Sequence, residues 1–158
     1  MSLLRENRIV IFVIGGIVLL GAIFYFAVGS DENAAKKVVT DFGSKLQQVS
    51  LLSAEASSSM ASMYGPYVDT ALLSAWQKDP RHAPGRLTSS PWPDRIEVVS
   101  IAPQGSGFVV QGAVVLMTSE EKEKGGYVGF VPVMIQIVPE DGSWHIVAYQ
   151  EQATSTRQ

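Results

Sequence analysis

The sequence predicts an α+β fold, with an N-terminal transmembrane helix followed by helices packed on a four-stranded antiparallel sheet. Three observations carry this expectation. Residues 9–28, IVIFVIGGIVLLGAIFYFAV, contain no charge. Apolar residues then recur at helical spacing between 35 and 49. Beyond residue 94 the texture changes to four β-rich runs separated by glycine-containing or charged turns.

The apolar run is long enough to cross a bilayer, because a helix rising about 1.5 Å per residue covers the hydrocarbon core of about 30 Å in twenty residues. Arg5 and Arg8 precede the run and Asp31 and Glu32 follow it. The positive-inside rule therefore places the N-terminus, residues 1–8, in the cytoplasm and the rest of the chain outside. Tyr25 falls near the end of the run, where an aromatic ring anchors at the interface. The competing reading is a cleaved signal peptide, since Ala27, Val28 and Gly29 are small enough for a cleavage site. A cleavable apolar core is shorter, about 7 to 15 residues. The expectation is a retained single-pass anchor in a bacterial cell membrane.

Residues 30–152 are expected to form one extracytoplasmic domain, and 153–158 a flexible tail. Ser30 or Asp31 caps a long helix in which Ala35, Val38, Val39, Phe42, Leu46 and Val49 share a face, opposite Lys36, Lys37, Asp41, Lys45 and Gln48. A second, short helix is expected over 52–63, broken by Gly65 and Pro66. Asp69 or Thr70 caps a third, TALLSAWQK, whose Leu72, Leu73 and Trp76 lie on one side. Residues 79–94 hold Pro80, Pro84, Pro91 and Pro93 and read as a long ordered crossing loop.

Strands are expected over 95–102, 107–117, 126–138 and 144–151, and their short connections give an antiparallel meander. The segment TSEEKEKGG, 118–126, reads as a charged hairpin tip. The third strand is apolar on both sides, with Phe130, Met134 and Val138 on one and Val131, Val133, Ile135 and Ile137 on the other. Such a strand is expected to be covered twice. Helices supply one cover, and the proline loop, a second copy or a partner subunit supplies the other.

Composition excludes several functions. The formal net charge is −3, and setting aside Arg5, Glu6 and Arg8 leaves ten basic and fourteen acidic side chains in the remainder. Arg81, His82 and Arg86 form the one basic cluster, too little to follow a phosphate backbone, so nucleic acid is not an expected partner. The absence of cysteine removes disulfides, thiol nucleophiles and thiolate metal sites. No phosphate loop, Gly-x-Ser-x-Gly elbow, His-x-Glu or metal-spaced carboxylate pair occurs, so neither cofactor nor metal is expected.

The order of membrane helix, long amphipathic helix, two short helices and four-stranded meander resembles the nuclear transport factor 2-like cone, as used by the bitopic scaffold subunits of type IV secretion and conjugation machines. The resemblance spans nearly the whole chain and is one of element order. The short Asn-Pro turn motif of the Gram-negative subunits has no counterpart, and YGPY at 64–67 does not replace it. It implies an exported domain that binds other envelope proteins or a copy of itself and performs no chemistry. Tyr64, Tyr67 and Trp92, with the exposed face of the sheet, are the expected contact residues.

Two alternatives stand beside this reading. The same fold hosts isomerases and dehydratases with a cavity between long helix and concave sheet. His145 and Tyr149 stand four residues apart on the last strand, so simple alternation puts both on one face. They would share a cavity there with Gln111 and Gln136, the polar residues of the central strands. One histidine beside one tyrosine makes no catalytic constellation, and the chain is not expected to be an enzyme. A pilin-like surface protein also pairs an apolar helix with an antiparallel sheet, but here Arg8 stands where its processing glycine belongs.

Overall fold

The computed structural model of the chain describes residues 29–152. The N-terminal segment 1–8, the apolar run 9–28 and the tail 153–158 lie outside the described residues. Among the described residues, no helix is long and apolar enough to cross a membrane. The compact unit begins at Ala34 and is α+β, with helices packed on one face of a four-stranded antiparallel sheet.

Residues 29–43 are helical (α1), and Ala35, Val39 and Phe42 are buried as their spacing predicts. The α-helix stops short of the apolar pattern, at Gly43. A β-carbon there would stand 2.5 Å from the Ile96 backbone nitrogen, so glycine is what lets the helix end meet the sheet. A 3-10 turn, Leu46–Gln48, follows and keeps Leu46 and Val49 inside.

Helix α2, Ala56–Tyr64, begins later than the 52–63 expected. Residues 51–55 form turns instead, and the Ser53 hydroxyl accepts from the Glu55 amide at 3.1 Å, offering the backbone an alternative to helix. Helix α3, Thr70–Lys78, is the one expected, and the Asp69 carboxylate accepts from the Ala71 and Leu72 amides at 3.0 and 2.9 Å. Trp76 is its buried residue, with Leu72 and Leu73 packed partly against the core.

Strands β1 (Trp92–Gln104), β2 (Gly107–Met117), β3 (Gly129–Glu140) and β4 (Ser143–Glu151) pair in sequence order, all antiparallel. β1 is longer than the expected 95–102 and carries Pro93 and Pro103, which an edge strand tolerates because its outer amides need no ladder partner. The charged segment 118–126 is more than a hairpin tip. It holds a short helix α4, Ser119–Lys124, capped by Thr118 and ended by Gly125 in the left-handed conformation at φ 75°. Thr118 followed three residues later by Glu121 is a helix-start pattern hidden within the charge run.

The core lies between α1–α3 and the inner face of the sheet, where Ile96, Val110, Val133, Ile135, Ile137 and Ile146 are buried. Four aromatic rings join helices to sheet. Phe42 meets Tyr64 edge-on at 5.0 Å, and Trp76 meets Tyr149 edge-on at 6.0 Å, both favourable aromatic geometries. The proline loop leaves α3 through a 3-10 turn, Pro80–His82, and is tied down at Pro84 and Arg86. The Tyr64 hydroxyl donates to the Pro84 carbonyl at 2.7 Å, and the Arg86 amide donates to the Val49 carbonyl at 2.8 Å.

Within the described chain the helices cover one face of the third strand, and the proline loop does not cover the other. Val133, Ile135 and Ile137 face the helices and are buried, whereas Phe130 is 53% and Met134 38% exposed on the other side. Helices α1–α3 all pack on the same face; on the other, Val115 and Met117 at one end are buried while Phe130 and Met134 are open.

Candidate functional site

Partners in an antiparallel ladder project to the same side of the sheet, so register decides which side chains share a face. The pairs Val110–Ile135 and Val114–Val131 look toward the helices, and Gln111–Met134, Ala113–Pro132 and Val115–Phe130 look away. Between Val98 and Ser100 a bulge in β1 leaves Val99 without a partner and 74% exposed. Tyr127, 60% exposed, stands just before β3 beside Phe130 and Val99.

A sheet with one face in water normally alternates apolar inside and polar outside. Here none of the outward residues 109, 111, 113 and 115 of β2, or 130, 132, 134, 136 and 138 of β3, carries a charge. Two hollows indent this face. One of about 280 Å³ is lined by Val99, Ala113, Val115, Tyr127 and Phe130 with Glu97 at its edge, and another of about 470 Å³ by Val109, Met134, Gln136, Ala148 and Gln150. Charge returns at the corner, where the Arg95 guanidinium lies 2.9 Å from Asp94 and 2.6 Å from Glu97.

Register also separates the pair expected to share a cavity. Gln136 pairs with Ala148 but Ile137 pairs with Ile146, so Val147 is a bulge that reverses the alternation. Tyr149, opposite Ile135, faces the helices, whereas His145, opposite Val138, faces outward. The joint placement of His145 and Tyr149 is thus corrected. Gln111 and Gln136 share the outward face with His145, and Tyr149 lies behind them on the inner side. The His145 Nδ1 is 3.8 Å from Glu140 Oε2, beyond hydrogen-bond reach, and is buried without a partner.

On the inner side a cavity of about 360 Å³ opens beneath the proline loop, walled by Leu46, Leu51, Pro84, Val114, Val131 and Tyr149. The Tyr149 hydroxyl donates to Glu151 Oε1 at 3.2 Å. Burial first, and then the Glu151 carboxylate, push this phenol well above its ordinary value of 10.0, so it remains a proton donor at neutral pH. Arg81, His82 and Glu151 also line this cavity, so it can orient a ligand by charge as well as through the phenol. Among the described residues, no cluster of three or more His, Asp or Glu is placed to hold a metal ion.

The aromatic contact candidates separate as well. Tyr64 is corrected from contact residue to core residue: it is fully buried, on the same side of α2 as Ala56 and Met60, with its hydroxyl held by Pro84. Burial raises its phenol above the usual range. Tyr67 is half-buried against the core, and its carbonyl accepts from the Ile146 amide at 2.8 Å, which stitches the α2–α3 connection to the outer edge of β4. Trp92, half-buried, opens β1 opposite Met117 and so borders the outward face.

Reasoning from sequence missed Val99 and Tyr127. Bulges have no residue signature, and Tyr127 follows a charged turn that reads as solvent-facing. Phe130 and Met134 were visible as the second apolar stripe of β3. No protein-family model, curated protein or solved structure matches the chain.

Proposed function

We propose that the chain is a membrane-anchored, extracytoplasmic assembly domain, of the nuclear transport factor 2-like kind that scaffold subunits supply to secretion and conjugation machines. The observation that carries the reading is the outward face of the sheet, uncharged across β2 and β3 and exposing Val99, Phe130 and Met134. Exposed apolar surface gathered on one face marks an interaction site, whereas scattered exposed apolar residues do not. The anchor rests on residues 9–28 and the orientation on Arg5 and Arg8.

The test compares tagged full-length protein with its Phe130→Asp variant, each purified from detergent-solubilised membranes. Envelope proteins recovered with the wild type and lost from an equally abundant variant support the reading. An identical set from both, or none from either, contradicts it.

The cavity beneath the proline loop favours a second reading, a pocket for a small ligand that packs on its apolar wall and takes a hydrogen bond from Tyr149. Filling it by Leu51→Trp separates the two. Association unchanged by that variant belongs to the assembly reading, and loss of a bound small molecule belongs to the pocket.

A further inference from the structure

The walls of the cavity beneath the proline loop change in character from floor to mouth. Leu46, Leu51 and Val114 are buried and form an apolar floor, with the ring of Tyr149 beside them. Arg81 and Glu151 are exposed and belong to the mouth. A ligand entering here leads with an apolar end and leaves its polar end among side chains of both signs.

Both charges are available. The His82 Nδ1 lies 2.9 Å from the Asp79 carboxylate, whereas neither Arg81 nor Glu151 has an ion-pair partner among the described residues. The Tyr149 hydroxyl donates to Glu151 Oε1 at 3.2 Å, which holds that carboxylate at the wall without neutralising it. A guanidinium calls for a carboxylate, and an ionised carboxylate, which only accepts, calls for an N–H donor. A purely anionic ligand is drawn by Arg81 and repelled by Glu151, and a purely cationic one meets the reverse. A neutral apolar ligand takes both groups from water and pairs with neither. The complement is an apolar body carrying one acid and one amine at its polar end.

Size narrows the choice. The cavity of about 360 Å³ is at the small end of ligand sites, which run from about 300 to 1,000 Å³, so it suits a single small molecule rather than a lipid. A peptide terminus offers only one of the two groups, the amine at one end or the carboxylate at the other. We infer that the cavity takes a free apolar α-amino acid of the leucine or phenylalanine kind, an inference that rests on the pocket reading above. Its carboxylate pairs with Arg81, its ammonium with Glu151, and its side chain lies on Leu46, Leu51 and Val114.

The test dialyses full-length protein in lipid nanodiscs against radiolabelled phenylalanine, with leucine, N-acetylphenylalanine and phenylalaninamide as competitors. Saturable binding displaced by leucine is expected, with the two blocked derivatives weaker by about tenfold or more, and affinity reduced as much by Arg81→Ala and by Glu151→Gln. Both positions are exposed, so each variant should melt within a few degrees of wild type. A blocked derivative competing as well as leucine, or affinity unchanged in either variant, overturns the amino acid. So does a failure of phenylalanine to bind while radiolabelled benzyl alcohol binds saturably and is lost from Leu51→Trp, a result that keeps the pocket. Binding of neither label overturns the amino acid and the pocket together.

Discussion

At the scale of single residues, Tyr64, chosen from the sequence as a surface group, is a core residue, and Tyr149, chosen as a pocket group, packs against that core while lining the inner cavity. Tyr64 shows why the distinction matters, because its hydroxyl is buried and satisfied by the Pro84 carbonyl. Tyr64→Phe keeps the ring and leaves that carbonyl without its donor, which costs about 1–3 kcal/mol. A thermal melt lowered by several degrees, with faster proteolytic cutting within 79–91, is the expected outcome. Unchanged melting and cutting would show that the bond holds nothing in place. The two phenols also set a pH limit. Both are raised above 10.0, so folding favours their protonated forms. Their contribution is complete below the unfolded value of 10.0 and is lost as pH rises past it toward the folded values. Alkaline titration monitored by circular dichroism should show stability falling above pH 10, less steeply in Tyr64→Phe.

At the scale of elements, the helices were legible because caps and periodicity agree. Asp69 announces α3 and its carboxylate accepts two amides there, while the apolar spacing of Ala35, Val39 and Phe42 matches their burial. The strands were legible as runs, but their register was not. One unpaired residue, Val147, decides that Tyr149 looks inward and His145 outward, and no residue type marks a bulge. The candidate site was half visible for the same reason: the second stripe of β3 can be read by alternation, whereas Val99 cannot. Two outcomes follow at this scale. Val147 is the extra residue, so its deletion leaves Ala148 opposite Gln136 and Ile146 opposite Ile137; Ile146 stays buried and the variant should still fold cooperatively on thermal melting, whereas loss of folding would show that the bulge itself is required. Gly43→Ala drives a methyl into the Ile96 backbone and should cost about 1–3 kcal/mol by denaturant titration, more than an alanine normally does at a helix end.

At the scale of the whole molecule, a proposed anchor, read from 9–28, is joined to a domain that buries one face of its sheet and leaves the other uncharged across β2 and β3 with Phe130 and Met134 exposed. A domain with no need of a partner would have placed lysine or glutamate at Phe130 and Met134, as one-sided sheets generally do. Because Phe130 is half in solvent, Phe130→Asp should leave the melting temperature of the isolated chain within a few degrees of wild type while removing association, a separation that a core residue could not give. The measurement that tests the central claim most directly is photocrosslinking in intact cells. A photoreactive amino acid is placed singly at Val99, Phe130 or Met134 on the outward face, or at Lys37 or Ser58 on the helical side. Adducts with protein from the three sheet positions and none from the two helical ones are the predicted result, and adducts confined to the helical side would contradict it.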